Sequence, residues 1–510
     1  MLRREVRLPV VRIPEAEPLP ILLEGDDRLR QPARPVELPS MEAGRDIGRC
    51  FATLAAFRRQ HGFGRALAAP QVGIPLRLIA IDLGAGPFAV INPQIRWRSE
   101  ETFELWDDCF SVPDKIVRVR RNRSISLECR DEQFRTRRWD RLPPDLSELL
   151  QHEIDHLDGI LMTDRAVSAD AVRPANQRAR LIDAVRSVRR LSLARIREAA
   201  QRIDPVFLNS PQVISLSLSK ELGCTLRLKV EINNPVHSFK GRGADFFVGR
   251  LDETKALVCA SAGNFGLALA YACRKRGIPL TVYAARSANR QQVERIRALG
   301  AQVRVDGEDF DAAKEIARAM SAASGARMVE DGAAPEISEG AGTIGVELLA
   351  RGDVFDAVLV PLGNGALING IARWIKAASP ITRVIGVSSR GAPAMAESFR
   401  SGPGGRIVSH PSVDSIADGI AVRVPIPEAV DDMHGVVDDV LLVDDGSLLE
   451  GIKLAHRHAN LRIEPSAAAG LAALLESPDM FSEQSVATVL TGSNITDEQA
   501  REWFGEAAAH

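Results

Sequence analysis

The sequence predicts two domains of different fold class, an α+β domain followed by an α/β domain. Over the first 165 residues or so, short strand-like runs are separated by turn residues and followed by an amphipathic helix. From Asp204 onward, strands alternate with helices, which is typical of a mainly parallel sheet with helices on both faces. At 510 residues the chain is long enough for roughly two to four hydrophobic cores.

Composition places the chain among ordinary globular proteins and argues against several classes of partner. Hydrophobic residues make up 45%, charged residues 26%, and the formal net charge is -2. This near-neutral charge argues against nucleic acid or an anionic membrane as the main partner, and no apolar run is long enough to span a bilayer. The six cysteines lack a disulfide-framework spacing and the N-terminus lacks the apolar core of a signal peptide, so we expect a cytoplasmic protein.

The first domain is expected to contain strands followed by one helix. The runs LRLIAIDL and FAVINP are typical of strands, and RSISLECRDE alternates as a half-buried strand does. A helix is predicted from about Leu146 to Leu157, after the start signal PPDLS. Helical periodicity resumes across the basic stretch before Pro205. We therefore place the first domain at residues 1–170, a connecting helix at 171–204 and the second domain at 205–510.

The second domain is expected to repeat a strand–turn–helix unit. KALVCASAGNFGLALAYACRKRG contains a strand, a small-residue turn and a helix, and PLTVYAA is a strand followed by the helix NRQQVERIRALG. The strands AQVRVDG and TRVIGVSS and the unit DAVLVPLGNGALINGIARWIKA continue the pattern. This alternation predicts parallel strands, since each helix returns the chain to the same end of the sheet.

Two histidines one helical turn apart form the first candidate site. His152 and His156 lie on one face of the predicted helix, close enough to bind one metal ion, and Glu153 lies slightly off that face. The alternative is a partly exposed helix with two incidental histidines, because HExxH also arises by chance. Two other stretches favour the metal site: GRALAAPQVG carries the amide of Gln71, and DDCFSVP offers Cys109 as a soft third ligand.

Three motifs in this order make the chain similar to the peptide deformylases, over roughly Pro18 to Arg165. That family has a GxGLAAPQ-type loop, an EGCLS-type segment and HExxH inside QHExDHL, and the corresponding stretches here are GRALAAPQ, DDCFS and QHEIDHL. Three ordered motifs are far more specific than one. The resemblance implies an α+β peptide-deformylase-like fold and hydrolytic removal of an N-formyl group.

The same resemblance implies a role for each site residue. Cys109, His152 and His156 would bind a divalent metal, typically iron(II), with zinc or nickel able to substitute, and a water would complete an open site. Glu153 would take the proton of that water and deliver it to the leaving amine. Gln71, with the backbone N–H of Phe110, would stabilise the oxyanion.

Three positions depart from the family pattern. Ala66 stands where the family usually has the second glycine of its first motif, and Asp107 and Asp108 replace the usual glutamate and glycine before the cysteine. A glycine at 108 would permit a backbone angle or a close substrate approach that Asp108 resists. These changes bear on the substrate pocket and the oxyanion geometry, whereas the metal ligands and Glu153 are all present.

Lys240 forms the second candidate site. In SFKGRGA it follows Phe239 and precedes two glycines at a predicted strand-to-helix transition. One interpretation is a solvent-exposed lysine in a glycine-rich turn. The other is an amine with a depressed pKa, shielded by Phe239 and helix dipoles and able to form a Schiff base. Downstream, ASAGNFGLALA has a turn of backbone donors suited to a carboxylate, and PLGNGAL has one suited to a phosphate.

Together these motifs resemble the tryptophan-synthase-β-type, or fold type II, pyridoxal-phosphate (PLP) enzymes, and within them the serine/threonine ammonia-lyases. The resemblance covers roughly Asp204 to Thr496 and implies an α/β domain of two subdomains. Lys240 would form the Schiff base with PLP and act as the proton-transfer base at Cα. Phe239 would lie against the ring and Asn264 would hydrogen-bond its 3-hydroxyl group.

Two turns and one hydroxyl would complete this implied site. The substrate carboxylate would be bound by Ser261, Ala262, Gly263 and Asn264. The phosphate would be bound by the N–H groups of Gly363, Asn364, Gly365, Ala366 and Leu367, a loop that departs from the group's four-glycine form. Thr491 would face the ring nitrogen. A hydroxyl there, rather than a carboxylate, leaves that nitrogen largely unprotonated, which favours β-elimination, β-replacement or racemisation over transamination.

Three hypotheses follow for the whole chain. In the first, a bifunctional enzyme removes an N-formyl group and so unmasks the amine on which the PLP domain acts, with elimination from an amino acid such as serine or threonine. In the second, a degenerate deformylase-like domain is a binding or assembly module on a lyase, a β-replacement enzyme or a racemase. In the third, both domains act independently, and formyl-methionyl peptides are one substrate. A homodimer through the PLP domain is expected by resemblance only.

Overall fold

The computed structural model describes residues 13–37, 39–183, 189–251, 255–350 and 353–504. The chain divides into two units, Met1–Val188 and Arg189–His510, and the division falls inside the predicted connecting segment. No helix in the described ranges is long and apolar enough to cross a membrane.

The first unit contains two antiparallel sheets and two α-helices. One sheet has the strand order β1-β2-β3-β6-β7 and the other has the order β4-β5-β8. The elements are α1 (Met41–His61), β1 (Ala66–Ala68), β2 (Leu78–Asp82), β3 (Pro87–Arg98), β4 (Thr102–Cys109), β5 (Val112–Asn122), β6 (Ile125–Arg130), β7 (Thr136–Trp139), α2 (Pro144–Leu157) and β8 (Val172–Pro174).

Helix α2 is unusual in being buried all round although half of its residues are polar. Every residue from Leu146 to Leu157 is buried. Two polar side chains fix the helix to the end of β5, because the Ser147 hydroxyl donates to the carbonyl oxygen of Asn122 (2.9 Å) and Gln151 exchanges hydrogen bonds with the same residue. Buried polar groups need such partners, and the helix is thereby held in one orientation.

The second unit contains two sheets surrounded by helices. The larger has the order β17-β16-β15-β18-β10-β9, parallel except at its β9 edge, and the smaller has the parallel order β13-β12-β11-β14. The strands are β9 (Gln212–Ile214), β10 (Thr225–Val230), β11 (Leu257–Ala260), β12 (Leu280–Ala284), β13 (Gln302–Val305), β14 (Arg327–Met328), β15 (Ala357–Pro361), β16 (Arg383–Ser389), β17 (Asp439–Val443) and β18 (Ser485–Leu490).

Helices cover both sheets of this unit, and the central strands β15 and β18 are buried except for Ser485 at the start of β18, as expected for parallel strands between two helix layers. The helices are α3 (Leu193–Arg202), α4 (Leu216–Leu222), α5 (Lys240–Gly249), α6 (Asn264–Arg276), α7 (Arg290–Ala298), α8 (Phe310–Ser324), α9 (Pro335–Leu349), α10 (Ala366–Ala378), α11 (Ala394–Arg400), α12 (Pro427–Met433), α13 (Asp445–Ala459), α14 (Ala469–Glu476), α15 (Pro478–Phe481) and α16 (Asp497–Phe504).

The strands and helices named from the sequence are confirmed to within five residues at each end, but the connecting helix differs from its prediction. Among the described residues of the range 171–204, only those of α3 are α-helical. Val172–Pro174 instead pairs with β5 as the edge strand β8, Ala179–Asp183 forms a π-helical turn, and residues 184–188 lie outside the described ranges. Pro174 cannot donate a helical hydrogen bond, and Ser192 starts α3 anew by accepting from Arg195 N (3.3 Å). The domain boundaries themselves stay predictions.

Candidate active sites

The first unit brings Cys109, His152 and His156 together where β4 ends against α2. Their ligand atoms all lie within 4.8 Å of one another, and all three residues are buried. Cys109 Sγ is 3.2 Å from His156 Nε2, and the two imidazole rings lie 5.0 Å apart, centroid to centroid. A register shift in the β4–β5 pairing falls between Asp108 and Cys109.

Asp107 orients the first of these histidines. His152 Nδ1 donates to Asp107 Oδ2 (2.7 Å), which also accepts from Arg121 (3.2 Å). Burial would raise the pKa of Asp107, but His152 and Arg121 hold it far below its usual value. An ionised carboxylate only accepts, so Nδ1 carries a hydrogen. Burial would lower the pKa of His152, but Asp107 and Cys109 raise it well above its usual value, so a metal ion at Nε2 would replace the second proton of this ring. Burial and the nearby His152 lower the pKa of His156 well below its usual value, which keeps it neutral as a ligand must be.

Glu153 and Gln71 lie beside this cluster in the positions that the motifs predict. Glu153 Oε2 is buried and has no hydrogen-bond partner among the described residues, and burial raises the pKa of this carboxyl to about 7. Gln71 Nε2 donates to Ser111 Oγ (3.2 Å) and lies 3.6 Å from Cys109 Sγ, while its Oε1 accepts from Ala68 N (2.9 Å). The amide is therefore fixed with its N–H group toward the cluster.

The structure shows the surroundings of Ala66, Asp107 and Asp108, the three residues that depart from the deformylase pattern. Ala66 is an ordinary residue of β1, paired with Ile81, and neither Ala66 nor Asp108 has the positive φ that would favour glycine. Asp107 keeps the carboxylate of the usual glutamate, as its bond to His152 requires. Asp108 forms an ion pair with Arg178 (3.0 Å) beside the cluster. The changed residues therefore alter the walls of the site and leave its three ligand side chains in place.

A cavity of about 30 Å³ adjoins Cys109, His152 and Glu153. This volume holds about two water molecules. An ion pair between Arg65 and Glu148 forms part of its wall. A larger cavity, about 620 Å³, is lined mainly by apolar side chains and shares only residues 108–110 with the small one.

The donor set suits a divalent transition metal. A thiolate with two imidazoles is a common ligand set of catalytic metal sites, and it leaves positions open for water and substrate. The buried carboxylate behind His152 supplies the support that such ligands receive. Cys109, His152 and His156 are thus the described residues that could hold the metal.

In the second unit, Lys240 is the first residue of α5. Its Nζ lies 4.6 Å from the centre of the Phe239 ring and forms an ion pair with Asp331. Phe239 N donates to the carbonyl oxygen of Thr491 (3.0 Å), and Thr491 is buried. The structure therefore brings Phe239, Lys240 and Thr491 to one place, as the motifs predict.

The predicted carboxylate turn, residues 261–264, lies at the start of α6. A Cβ at Gly266 would lie 1.8 Å from the carbonyl oxygen of Ser261, so only glycine allows the turn to fold this tightly onto the helix. Asn264 Nδ2 donates to Glu464 Oε1 (2.8 Å), and Asn264 Oδ1 accepts from Asn494 Nδ2 (2.6 Å). Asn264 is thus oriented by groups 200 and 230 residues away in sequence.

The predicted phosphate turn lies at the start of α10. In the described part of the chain, no hydrogen bond uses the N–H groups of residues 363–367. Gly365 has φ +86°, and a Cβ at Gly363 would lie 2.4 Å from the carbonyl oxygen of Gly419. Free N–H groups at a helix N-terminus bind phosphate. This turn, the amine of Lys240 and the amide of Asn264 are a donor set that fits PLP.

The family model described as pyridoxal-phosphate dependent enzyme matches residues 203–492, which is more than half of the chain. The chain belongs to this family. Among the proteins similar to this PLP-dependent enzyme are the L-threonine ammonia-lyase of Thermotoga maritima, 33% identical over 308 residues (60% of this chain and 76% of that protein), and the serine racemase of Oryza sativa subsp. indica, 30% identical over 315 residues (59% and 90%).

Solved structures resemble the PLP domain as well. Maize serine racemase has a TM-score of 0.57 at 28% identity and covers 62% of this chain and 97% of its own. The processed form of threonine deaminase isoform 2 from Solanum lycopersicum has a TM-score of 0.56 at 27% identity and covers 62% and 90%. The predicted fold type II is confirmed for this domain.

The polypeptide deformylase family model matches residues 18–172. The predicted fusion is thereby confirmed: an N-terminal deformylase domain of α+β class precedes the PLP domain. The two matches agree with the spans proposed from the motifs to within about ten residues.

Several residues at the sites were not found from the sequence. Asp331, Glu464 and Asn494 stand in the stretches EDGAAP, EPSAAAG and TGSN, where no spacing links them to Lys240 or Asn264. The Arg65–Glu148 pair joins side chains 83 residues apart. Such pairs become visible only once the fold is known. Asp107 could have been found, since a carboxylate two residues before a cysteine ligand is a candidate partner for a ligating histidine.

Proposed function

We propose that the chain is a bifunctional enzyme. The deformylase domain would remove the formyl group from an N-formyl amino acid by metal-dependent hydrolysis. The PLP domain would then catalyse β-elimination from an amino acid such as serine or threonine. The order is chemically sensible, because an N-formylated amine cannot condense with the cofactor aldehyde.

In the proposed hydrolysis, each residue of the first site has one task. A divalent metal, iron(II) first and zinc or nickel as substitutes, held by Cys109, His152 and His156 would supply Lewis-acid activation of water. Glu153 would hold the proton released from that water at Oε2 and pass it to the leaving amine. Gln71 Nε2, with the N–H of Phe110, would donate to the oxyanion that develops on the formyl oxygen.

In the eliminating half, PLP bound to Lys240 would supply the electron sink for the pair left at Cα. Lys240 Nζ would take the α-proton, and Phe239 would cover the ring. The turn of residues 261–264 would bind the substrate carboxylate, and Asn264 would hold the ring hydroxyl. The N–H groups of residues 363–367 would bind the phosphate, and Thr491 would face the ring nitrogen.

Elimination is favoured over racemisation by the side chains of the carboxylate turn. Racemisation needs a second proton donor on the face of the substrate opposite Lys240. In this turn, Ala262 and Gly263 carry no protic group, and the Ser261 hydroxyl, which keeps its own proton, is turned toward Gly263 N, from which it accepts (3.3 Å). A serine racemase is nevertheless among the similar proteins, so D-serine formation is measured beside ammonia release.

The observation that carries the hydrolytic proposal is the unpartnered Glu153 Oε2 next to three intact ligand side chains. Leaving one oxygen of a buried carboxyl group without a hydrogen bond destabilises a fold, so a domain kept only for binding would have little reason to retain it.

The charged wall of the cavity beside Glu153 favours a polar group next to the formyl carbon. The Arg65–Glu148 ion pair in this wall suits a hydroxymethyl side chain, whereas the adjoining cavity of about 620 Å³, lined mainly by apolar side chains, has room for a methionine side chain. N-formylserine and N-formylthreonine are therefore the substrates we propose, and both would give the PLP domain a hydroxy amino acid.

The decisive experiment uses full-length protein loaded anaerobically with iron(II) and PLP. Formate, ammonia and 2-oxo acid are measured with N-formyl-L-serine, N-formyl-L-threonine and a formyl-methionyl dipeptide. We expect formate first and ammonia after it, with E153Q abolishing formate but not metal binding, and K240A abolishing ammonia but not formate. Formate from the dipeptide alone would mean two independent enzymes. No formate from any substrate, with metal bound, would favour a binding module.

We also propose that the protein is cytoplasmic and forms a homodimer. A reducing cytoplasm suits six cysteines that are all free and buried. A homodimer through the PLP domain is proposed on the resemblance alone, and sedimentation of the loaded protein measures it.

A further inference from the structure

The amine of Lys240 contacts the carboxylate of Asp331, a residue that has no task in the proposed binding of PLP and substrate. Lys240 Nζ forms its ion pair with Asp331 Oδ2, and Asp331 is largely buried. The other oxygen, Asp331 Oδ1, is buried and has no hydrogen-bond partner among the described residues. A buried carboxylate with an unbonded oxygen destabilises the fold, so its position beside the reactive amine needs a functional account.

The backbone fixes Asp331 between the lysine and the phosphate turn. Asp331 lies between β14 and α9, and the next residue, Gly332, has φ +92°. A Cβ at Gly332 would lie 2.3 Å from the carbonyl oxygen of Asn364, so the loop packs directly on the turn that suits phosphate. This close packing allows the Asp331 carboxylate little freedom to move away from Nζ.

The other acidic groups near Lys240 are less suited to exchanging protons with it. Glu464 interacts electrostatically with Lys240, but its Oε1 accepts from Asn264 Nδ2 (2.8 Å) and its Oε2 accepts from Asn494 N (3.2 Å). Asp418 acts electrostatically on Glu464, one step further from the amine. Asp331 combines a direct contact with Nζ and a free oxygen.

We propose that Asp331 is a further catalytic residue, which holds and returns the proton that Lys240 takes from the substrate. This role rests on the proposed β-elimination at Lys240. When the Cα–H bond breaks, Nζ receives the proton and Asp331 Oδ2 stabilises the resulting ammonium. The electron pair of that bond forms the C=C bond, the Cβ–O bond breaks, and the departing hydroxyl takes a proton from the Lys240–Asp331 pair. Water leaves, Lys240 is again a neutral amine, and no oxidant or reductant is required.

The test uses PLP-loaded full-length protein and the variants D331N, D331E and E330Q. The matched control is Glu330, the adjacent residue, whose carboxylate pairs with Arg318 (2.8 Å) and Lys314 (3.2 Å) instead of Lys240. The visible absorption of the lysine-bound cofactor is titrated with pH, and kcat and KM for ammonia release from L-serine are measured separately.

Loss of the neighbouring anion should lower the pKa of the lysine-bound cofactor by about 1–3 units in D331N. We expect kcat to fall about 100-fold or more with KM little changed, D331E to recover part of kcat, and E330Q to match the wild type. A D331N titration identical to that of the wild type would overturn the role, whatever the activity. If D331N does not fold, as judged by circular dichroism, D331S provides the second neutral replacement and is read in the same way. Failure of the proposed function would be seen separately. The wild type would then lack the absorption band of the lysine-bound cofactor, or K240A would still show that band.

Discussion

Replacing Asp107 tests whether the carboxylate behind His152 tunes metal affinity. At neutral pH this carboxyl is ionised, because His152 and Arg121 hold its pKa far below the usual value. D107N keeps the side-chain shape and an accepting oxygen but removes the charge. D107A removes the acceptor altogether, so the imidazole loses its fixed orientation.

The expected magnitude follows from the contacts that Asp107 makes. Arg121 retains its 2.5 Å bond to Asp155 in both variants, so its charge stays paired and the loss falls on His152. Removing the partner of a ligating histidine weakens metal binding by about 10–100-fold, or about 1.4–2.7 kcal/mol. Charge-assisted hydrogen bonds are about twice as strong as neutral ones, so D107N should lie near the tenfold end and D107A near the 100-fold end.

The assay is competition for zinc(II) between the full-length protein and a chromophoric chelator, which avoids iron oxidation. D108N is the matched control, since its carboxylate pairs with Arg178 and not with His152. It should bind zinc within about threefold of the wild type, well below the tenfold effect expected at position 107. Equal losses in D107N and D108N, or unchanged binding in D107A, would refute the assigned role of Asp107.

The remaining predictions concern stability, selectivity and cofactor binding. Burial raises the pKa of Glu464 to about 7 from 4.5, so in the cofactor-free protein the folded state binds the extra proton, and the free energy of unfolding should fall by about 3 kcal/mol as pH rises through that window. Glu153, whose pKa is also raised to about 7, contributes over the same window, so urea unfolding at both of its ends should show a decline that is smaller in E464Q than in the wild type by about 3 kcal/mol; an equal decline in E464Q would contradict the assignment. R65M should shift formate release toward N-formylmethionine over N-formylserine by about tenfold, and an unchanged ratio of kcat/KM values would show that Arg65 does not set selectivity. A Cβ at Gly492 would lie 2.4 Å from Glu464 Oε1, so G492A should cost about 1–3 kcal/mol and weaken PLP binding in a fluorescence titration, whereas G446A, with open space around it, should do neither.

The fold class predicted from the sequence is confirmed, and the motif residues could be proposed from the sequence, because each rests on local pattern. The helix spacing of His152 and His156, and the turn before α10, are properties of a few consecutive residues. Family resemblance then supplied Cys109 as the third ligand, and the structure brings it to the histidines from a different element.

What the sequence could not predict depends on contacts between distant segments. Asp331 meets Lys240 across 91 residues, and nothing in EDGAAP distinguishes it from an ordinary loop carboxylate. The connecting helix was predicted for residues 171–204, but pairing with β5 holds Val172–Pro174 as a strand. Tertiary pairing overrode local preference there.

The hydrogen bonds that join Asn264, Glu464 and Asn494 affect when the PLP domain can fold during translation. They tie the start of α6 to residues 200 and 230 positions later in the sequence, so the cleft around Asn264 cannot close until Asn494 has emerged. Contacts of such long sequence separation form late, because the loop-closure entropy must be overcome first. A nascent chain ending before Asn494 would thus keep its lysine and its phosphate turn yet lack the oriented amide. Cofactor capture then becomes a late event in the folding of the PLP domain, and a supply of cofactor would stabilise chains that have reached Asn494.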